Sequence, residues 1–214
     1  MRRLAAAFLA MSMFATAAGA APIATHDRPA PPDMKMLAPL PAPSRALVIK
    51  ALAARRAKNL AAFRAYRKAG VYPHNFVRSG PLNVWRDEEG HLCAAATMLH
   101  ADGQDAIVEQ VATSNNNLRL LDVTSGPAMD WLLTSGFTLE EIDRIQMPGW
   151  RPSMREQEPA GWRIAEDKRL RRGYIATEAW LAKHRTAGLA MAADRLLENR
   201  GLARALVDQY LTAS

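Results

Sequence analysis

A single cysteine, Cys93, follows an acidic, glycine-containing turn, Asp87-Glu88-Glu89-Gly90-His91-Leu92, and precedes an alanine-rich apolar run. A thiol at a helix start sits where free N–H groups and the helix dipole stabilise a thiolate. Nucleophilic chemistry also needs a base within hydrogen-bond reach. His100 stands seven residues along the same expected helix, roughly 10 Å away at a rise of 1.5 Å per residue, and is out of range. His26 lies in a proline-rich stretch, and His91, two residues back, would face away from the thiol on a helix. His74 and His184 are therefore the candidate bases that folding would have to deliver to Cys93. The opposing reading is a packed residue. Free cysteine is among the most buried residue types, and Cys93, Thr97 and His100 share one helical stripe beside Leu92, Ala96 and Leu99. A metal role joining His91, Cys93 and a distant histidine matches no standard zinc spacing. Asp87-Glu88-Glu89 lacks the alternating oxygen ligands of a calcium loop. No metal and no cofactor are expected.

Binding chemistry is suggested elsewhere. Residues 34–86 contain no acid, and their eleven bases include Arg55, Arg56, Lys58, Arg64, Arg67 and Lys68. A basic helix of this kind can meet anionic lipid or another polyanion. Residues 87–150 reverse the balance, with eleven acids against Arg119 and Arg144. The acidic middle segment can therefore answer the basic first helix within one molecule, and exposed pairs of that kind contribute only about 0–1 kcal/mol each. The net charge of +7 alone does not point to nucleic acid, because no recognition motif accompanies it. Five tryptophans, Trp85, Trp131, Trp150, Trp162 and Trp180, read as packing residues before they read as a carbohydrate or peptide groove.

The elements that must position these residues follow from punctuation and periodicity. Arg2 and Arg3, an apolar run from Leu4 to about Thr16, and Ala18-Gly19-Ala20 have the form of a secretory signal over residues 1–20. Export to the periplasm or beyond is the expectation, with the lone cysteine unable to form an internal disulfide there. Pro29, Pro31, Pro32, Pro39, Pro41 and Pro43 make residues 21–43 an extended tether. Residues 44–214 are expected to form one mainly α-helical domain, long enough for a real core.

Ser44 and Gly70 bracket a long amphipathic first helix whose apolar stripe breaks near Arg55 and Arg56. Leu82–Arg86 and Leu118–Val123 are expected as one small two-stranded element at most, with helices over Leu92–Ala101 and Ala106–Ala112 between them. Pro127 opens another helix, which Gly136 ends. Thr138 and Glu141 form a capping box. Trp162 to Asn199 reads as helical with breaks at Gly173 and Gly188, and Gly201 separates a last helix.

Several of these landmarks recur together in a known pattern. Asp87, Gly90, Cys93-Ala94 and Leu99 are followed by Asn116, Trp131, Gly136-Phe137-Thr138, Glu140-Glu141 and Ile145-Gln146 through Pro148 to Trp150. Tyr66-Arg67, Gly70 and Tyr72-Pro73 extend the pattern toward the amino end. Over residues 64–150 the chain resembles a family of exported bacterial proteins that has no established activity. Ala95 and Ala96 stand where that family usually has Val and Gly, and Met147 is inserted before Pro148. The resemblance implies a module and no reaction. The leading expectation is a non-enzymatic structural or binding module at the cell envelope, meeting another envelope protein or an anionic surface. The alternatives are a thiol enzyme using Cys93 with His74 or His184, and a polyanion binder using the basic first helix.

Overall fold

Ser44 starts the first helix as the sequence predicts, its Oγ accepting from the N–H of Leu47. Helix α1 (Arg45–Ala69) ends at Gly70, whose φ of +68° lets its N–H turn back to the Tyr66 carbonyl. The computed structural model describes residues 41–75, 83–148 and 161–213, all within the unit Pro41–Ser214. The expected signal segment, most of the tether, Leu82 and the polar stretch after Pro148 up to Ala160 lie outside the described residues.

The described residues form eight α-helices and no extended strand. After α1 come α2 (Ala94–Ala101), α3 (Asp105–Ser114), a 3₁₀ turn (Leu120–Asp122), α4 (Pro127–Thr134) and α5 (Leu139–Gln146). Then follow α6 (Trp162–Lys183), α7 (Arg185–Glu198) and α8 (Arg200–Thr212). The mainly helical class is as expected. The small β element is reduced to an isolated antiparallel bridge between Arg86 and Leu92. Residues 118–123 do not pair as a strand because the Asn116 side chain takes the ladder's place. Its Oδ1 accepts from the Arg86 N–H and its Nδ2 donates to the Arg86 carbonyl.

Helix α1 joins two apolar clusters. Its first half, with Val48, Ala51 and Leu52, packs on Leu189, Leu196, Leu206 and Val207 from α7 and α8. Its second half, with Phe63 and Tyr66, enters a larger cluster built on Trp85, Met98, Leu99, Leu132, Ile142, Ile145 and Tyr174. The stripe does not break at Arg56. Val48, Ala51, Leu52, Arg56, Asn59, Phe63 and Tyr66 are all buried, at spacings of one to four residues, so two polar side chains occupy positions that periodicity assigns to the core.

Three glycines were expected to interrupt the carboxyl-terminal helices, and none does. Gly173 lies within α6, where a Cβ would come within 2.9 Å of the Pro148 Cβ. Gly188 lies within α7 against the Glu141 carboxylate. Gly201 lies in the first turn of α8, which Asn199 caps by accepting from the Leu202 N–H. The actual breaks fall at His184 and Asn199. In the first two cases glycine answers a close approach and leaves the helix intact.

Candidate functional site

The Asp87–Cys93 turn is built by one carboxylate. Asp87 Oδ1 accepts from the N–H groups of Glu89 and His91, and Oδ2 accepts from the His74 N–H and lies 3.1 Å from His91 Nδ1. Burial alone would raise the Asp87 carboxyl, but the backbone donors of His91 and His74 and the His91 ring hold it below the usual aspartate range. Gly90, at φ +86°, supplies the left-handed residue that the turn requires. The Cys93 N–H then returns to the Trp85 carbonyl, and Trp85, fully buried, anchors the loop by donating from Nε1 to the Leu118 carbonyl.

Cys93 is the N-cap of α2 and is 4% exposed. Its Sγ accepts from the Ala96 N–H at 3.4 Å, the place a serine oxygen takes in an ordinary cap. Burial pushes the thiol up to about 11, outweighing the backbone donors of Ala96 and Ala95. That direction favours the protonated thiol over the nucleophilic thiolate at neutral pH. Its neighbours are rings. Tyr66, Tyr72 and Tyr174 have mutual centroid distances of 5.4 Å, and burial lifts both Tyr66 and Tyr174 above the usual tyrosine range. Beside the sulfur a cavity of about 50 Å³ is lined also by Asn83, Gln146, Glu166 and Arg169. That volume is enough for a few waters.

Both candidate bases are engaged away from the thiol's own hydrogen bond. His74 donates its backbone N–H to Asp87 and places Nε2 3.0 Å from Asp167 Oδ1, with its ring edge-on to Trp162. His184 sits between α6 and α7, its Nδ1 2.8 Å from the Trp180 carbonyl and its ring stacked on Trp180. Among the described residues no histidine nitrogen hydrogen-bonds Cys93. The metal set that the sequence weighed, His91 with Cys93, is also not assembled. Asp87, Glu89 and His91 bring ligand atoms within 4.8 Å of one another, but three backbone N–H groups already donate to the Asp87 oxygens and Cys93 is buried at the start of α2.

The candidate cations of α1 are mostly answered by acids. Arg55 and Lys58 converge on Asp102 Oδ1, whose other oxygen accepts from Trp131 Nε1. Arg64 and Arg67 share Glu178 of α6. Lys68 is exposed at the end of the helix. Arg56 is the exception in depth. It pairs with both Glu141 oxygens at 2.7 Å, the two side chains being 3% and 1% exposed. It also donates to the carbonyls of Gly136 and Leu181 and lies 4.4 Å from the Phe137 ring centroid. Glu141 meanwhile completes the capping box by accepting from the Thr138 N–H. The stripe position of Arg56 was the available signal: a cation on an apolar face requires a buried partner. Nothing local pointed to Asp102 or to the Asn116 bracket.

Fold and site together define a mainly helical module with one buried cysteine. Comparison with known proteins found no matching family model, no matching curated protein and no matching solved structure.

Proposed function

We propose that this chain is an exported, non-catalytic helical module that acts by binding at the cell envelope. The supporting observation is the condition of Cys93, a buried, capped, protonated thiol without a histidine partner among the described residues. His74 and His184, the other residues nominated for catalysis, are engaged by Asp87, Asp167 and Trp180. The resemblance over residues 64–150 fits the same reading, because its landmarks Asp87, Cys93, Thr138 and Glu141 are turn and cap residues here.

Two measurements test the proposal. Native protein treated with iodoacetamide should label at Cys93 only after denaturation. Rapid native labelling at mildly acidic pH would overturn the non-catalytic half in favour of a thiol enzyme. A reporter fused behind residues 1–43 should be recovered outside the cytoplasm, and retention in the cytoplasm would overturn the envelope half.

A further inference from the structure

We propose that the solvent face of α6 is a docking surface for an anionic lipid bilayer. This rests on the reading of the chain as an envelope-binding module and names the surface through which that module binds. Helix α6 runs 22 residues, roughly 33 Å at 1.5 Å per residue. Its three acids are each paired, Glu166 with Arg169 one turn along the same helix, Asp167 with His74, and Glu178 with Arg64 and Arg67. Every exposed position of α6 is then a cation, an isoleucine or an alanine.

Lys168, Arg172 and Lys183 lie on that face with Ile164 and Ile175, while the Arg171 guanidinium turns back over Gly70. Lys168, Arg172 and Lys183 have no acidic partner among the described residues. The isoleucines are 63% and 51% exposed and eleven residues apart, close to three turns, so they project on the same side with Lys168 and Arg172 between them. Lys168 and Arg172 are also four residues apart, a like-charge spacing that disfavours a helix in water and is relieved when an anionic surface covers it.

The isoleucines decide the kind of partner. A polyanion in solution is held by the cations and has no use for exposed branched side chains. An interfacial helix lowers such side chains into the boundary between headgroups and acyl chains while its cations meet anionic headgroups. No described helix is long and apolar enough to cross a membrane, so α6 would lie on the surface.

The test uses the chain purified from an exporting host and floated with vesicles of phosphatidylglycerol mixed with phosphatidylcholine, against phosphatidylcholine alone. The parent should float with the anionic vesicles, lose this at high salt, and ignore the neutral ones. K168E/R172E should weaken binding on the order of ten-fold or more. I164S/I175S should weaken vesicle binding while leaving salt-dependent retention on heparin unchanged. All four positions are exposed, so unchanged thermal midpoints keep the comparison free of unfolding. Absent or charge-independent vesicle binding overturns the proposal. So does anionic binding that survives either double variant, and survival in I164S/I175S alone identifies a soluble-polyanion site instead. The affinities are read on purified protein, so a failure of export in the cell leaves them standing as a separate result.

Discussion

Helices α1 and α6 are both long and rich in arginine, yet their charges have opposite fates. Helix α1 contains no acid of its own, and its cations are answered from elsewhere: Arg55 and Lys58 by Asp102, Arg56 by Glu141, Arg64 and Arg67 by Glu178. Helix α6 contains three acids, and each is paired, Glu166 with Arg169, Asp167 with His74, and Glu178 with Arg64 and Arg67. The helix that looks free in sequence is therefore largely neutralised, and the one that looks balanced presents an acid-free outer face. What matters is which face of the helix meets the counter-charges, and a charge count along the chain carries no such direction. Composition nominated α1 as a polyanion surface, whereas the cations without an acidic partner among the described residues include Lys168, Arg172 and Lys183 of α6.

The largest expected effect lies at the buried end of this contrast. Arg56→Met leaves the Glu141 carboxylate enclosed without its partner and should cost about 3–5 kcal/mol in denaturant unfolding. R56M combined with E141L removes both charges and should recover much of that, short of roughly 1 kcal/mol for the lost capping box. A double variant as unstable as Arg56→Met would show that packing around Arg56, and not the stranded charge, sets the cost.

The seam between the two helices is the ring cluster beside Cys93, and it responds to alkali. The thiol titrates near its ordinary value of 9.0 in the unfolded chain and near about 11 in the folded one. The native state therefore keeps a proton that the unfolded state releases. This contribution is complete below pH 9 and disappears as pH rises through about 11, a loss of at most about 2–3 kcal/mol. Tyr66 and Tyr174, raised by burial, add a loss of the same sign at higher pH. Cys93→Ala should flatten the first part of the curve and leave the tyrosine part. A parent and variant of identical pH dependence would place the sulfur in contact with solvent.

Glycine gives the next step down. A Cβ on Gly188 would stand 2.6 Å from Glu141 Oε1, so Gly188→Ala should push the carboxylate off Arg56 and cost about 1–3 kcal/mol. A Cβ on Gly201 meets only Asn199 Oδ1 at 3.8 Å, and Gly201→Ala should be neutral or stabilise by about 0.5–1 kcal/mol. Equal melting behaviour of the two variants would remove the close approach as the reason for Gly188.

This pair also marks how far the sequence could be read. Caps are local: Ser44, Gly70, Pro127 and the Thr138–Glu141 box depend on residues within one turn and were legible. The mainly helical class followed from the long periodic stretches they bound. Gly173 and Gly188 were misread as breaks because their need for glycine comes from Pro148 and Glu141, distant in the chain and on other elements. The Asp87 turn and the Cys93 position were visible, whereas the burial of the thiol and the diversion of His74 to Asp87 and Asp167 required the fold. Asn116 replaced a strand through its side chain, which backbone propensity does not register.

The smallest stability effects belong to the partly exposed pairs and the outer face of α6. Glu178→Gln removes the shared partner of Arg64 and Arg67, a partly exposed arrangement, and should cost under about 1 kcal/mol. K168E/R172E should change unfolding by no more than about 0.5 kcal/mol, because neither side chain touches an acid or the core. The expected order, from Arg56 through Glu178 to Lys168, follows how completely each charge is withdrawn from water. If reversing Lys168 and Arg172 destabilised the protein as much as losing Arg56, the outer face of α6 would be structural and the contrast between the two helices would collapse. A stable K168E/R172E variant that still floats with anionic vesicles would instead keep the contrast and leave that face without a lipid partner.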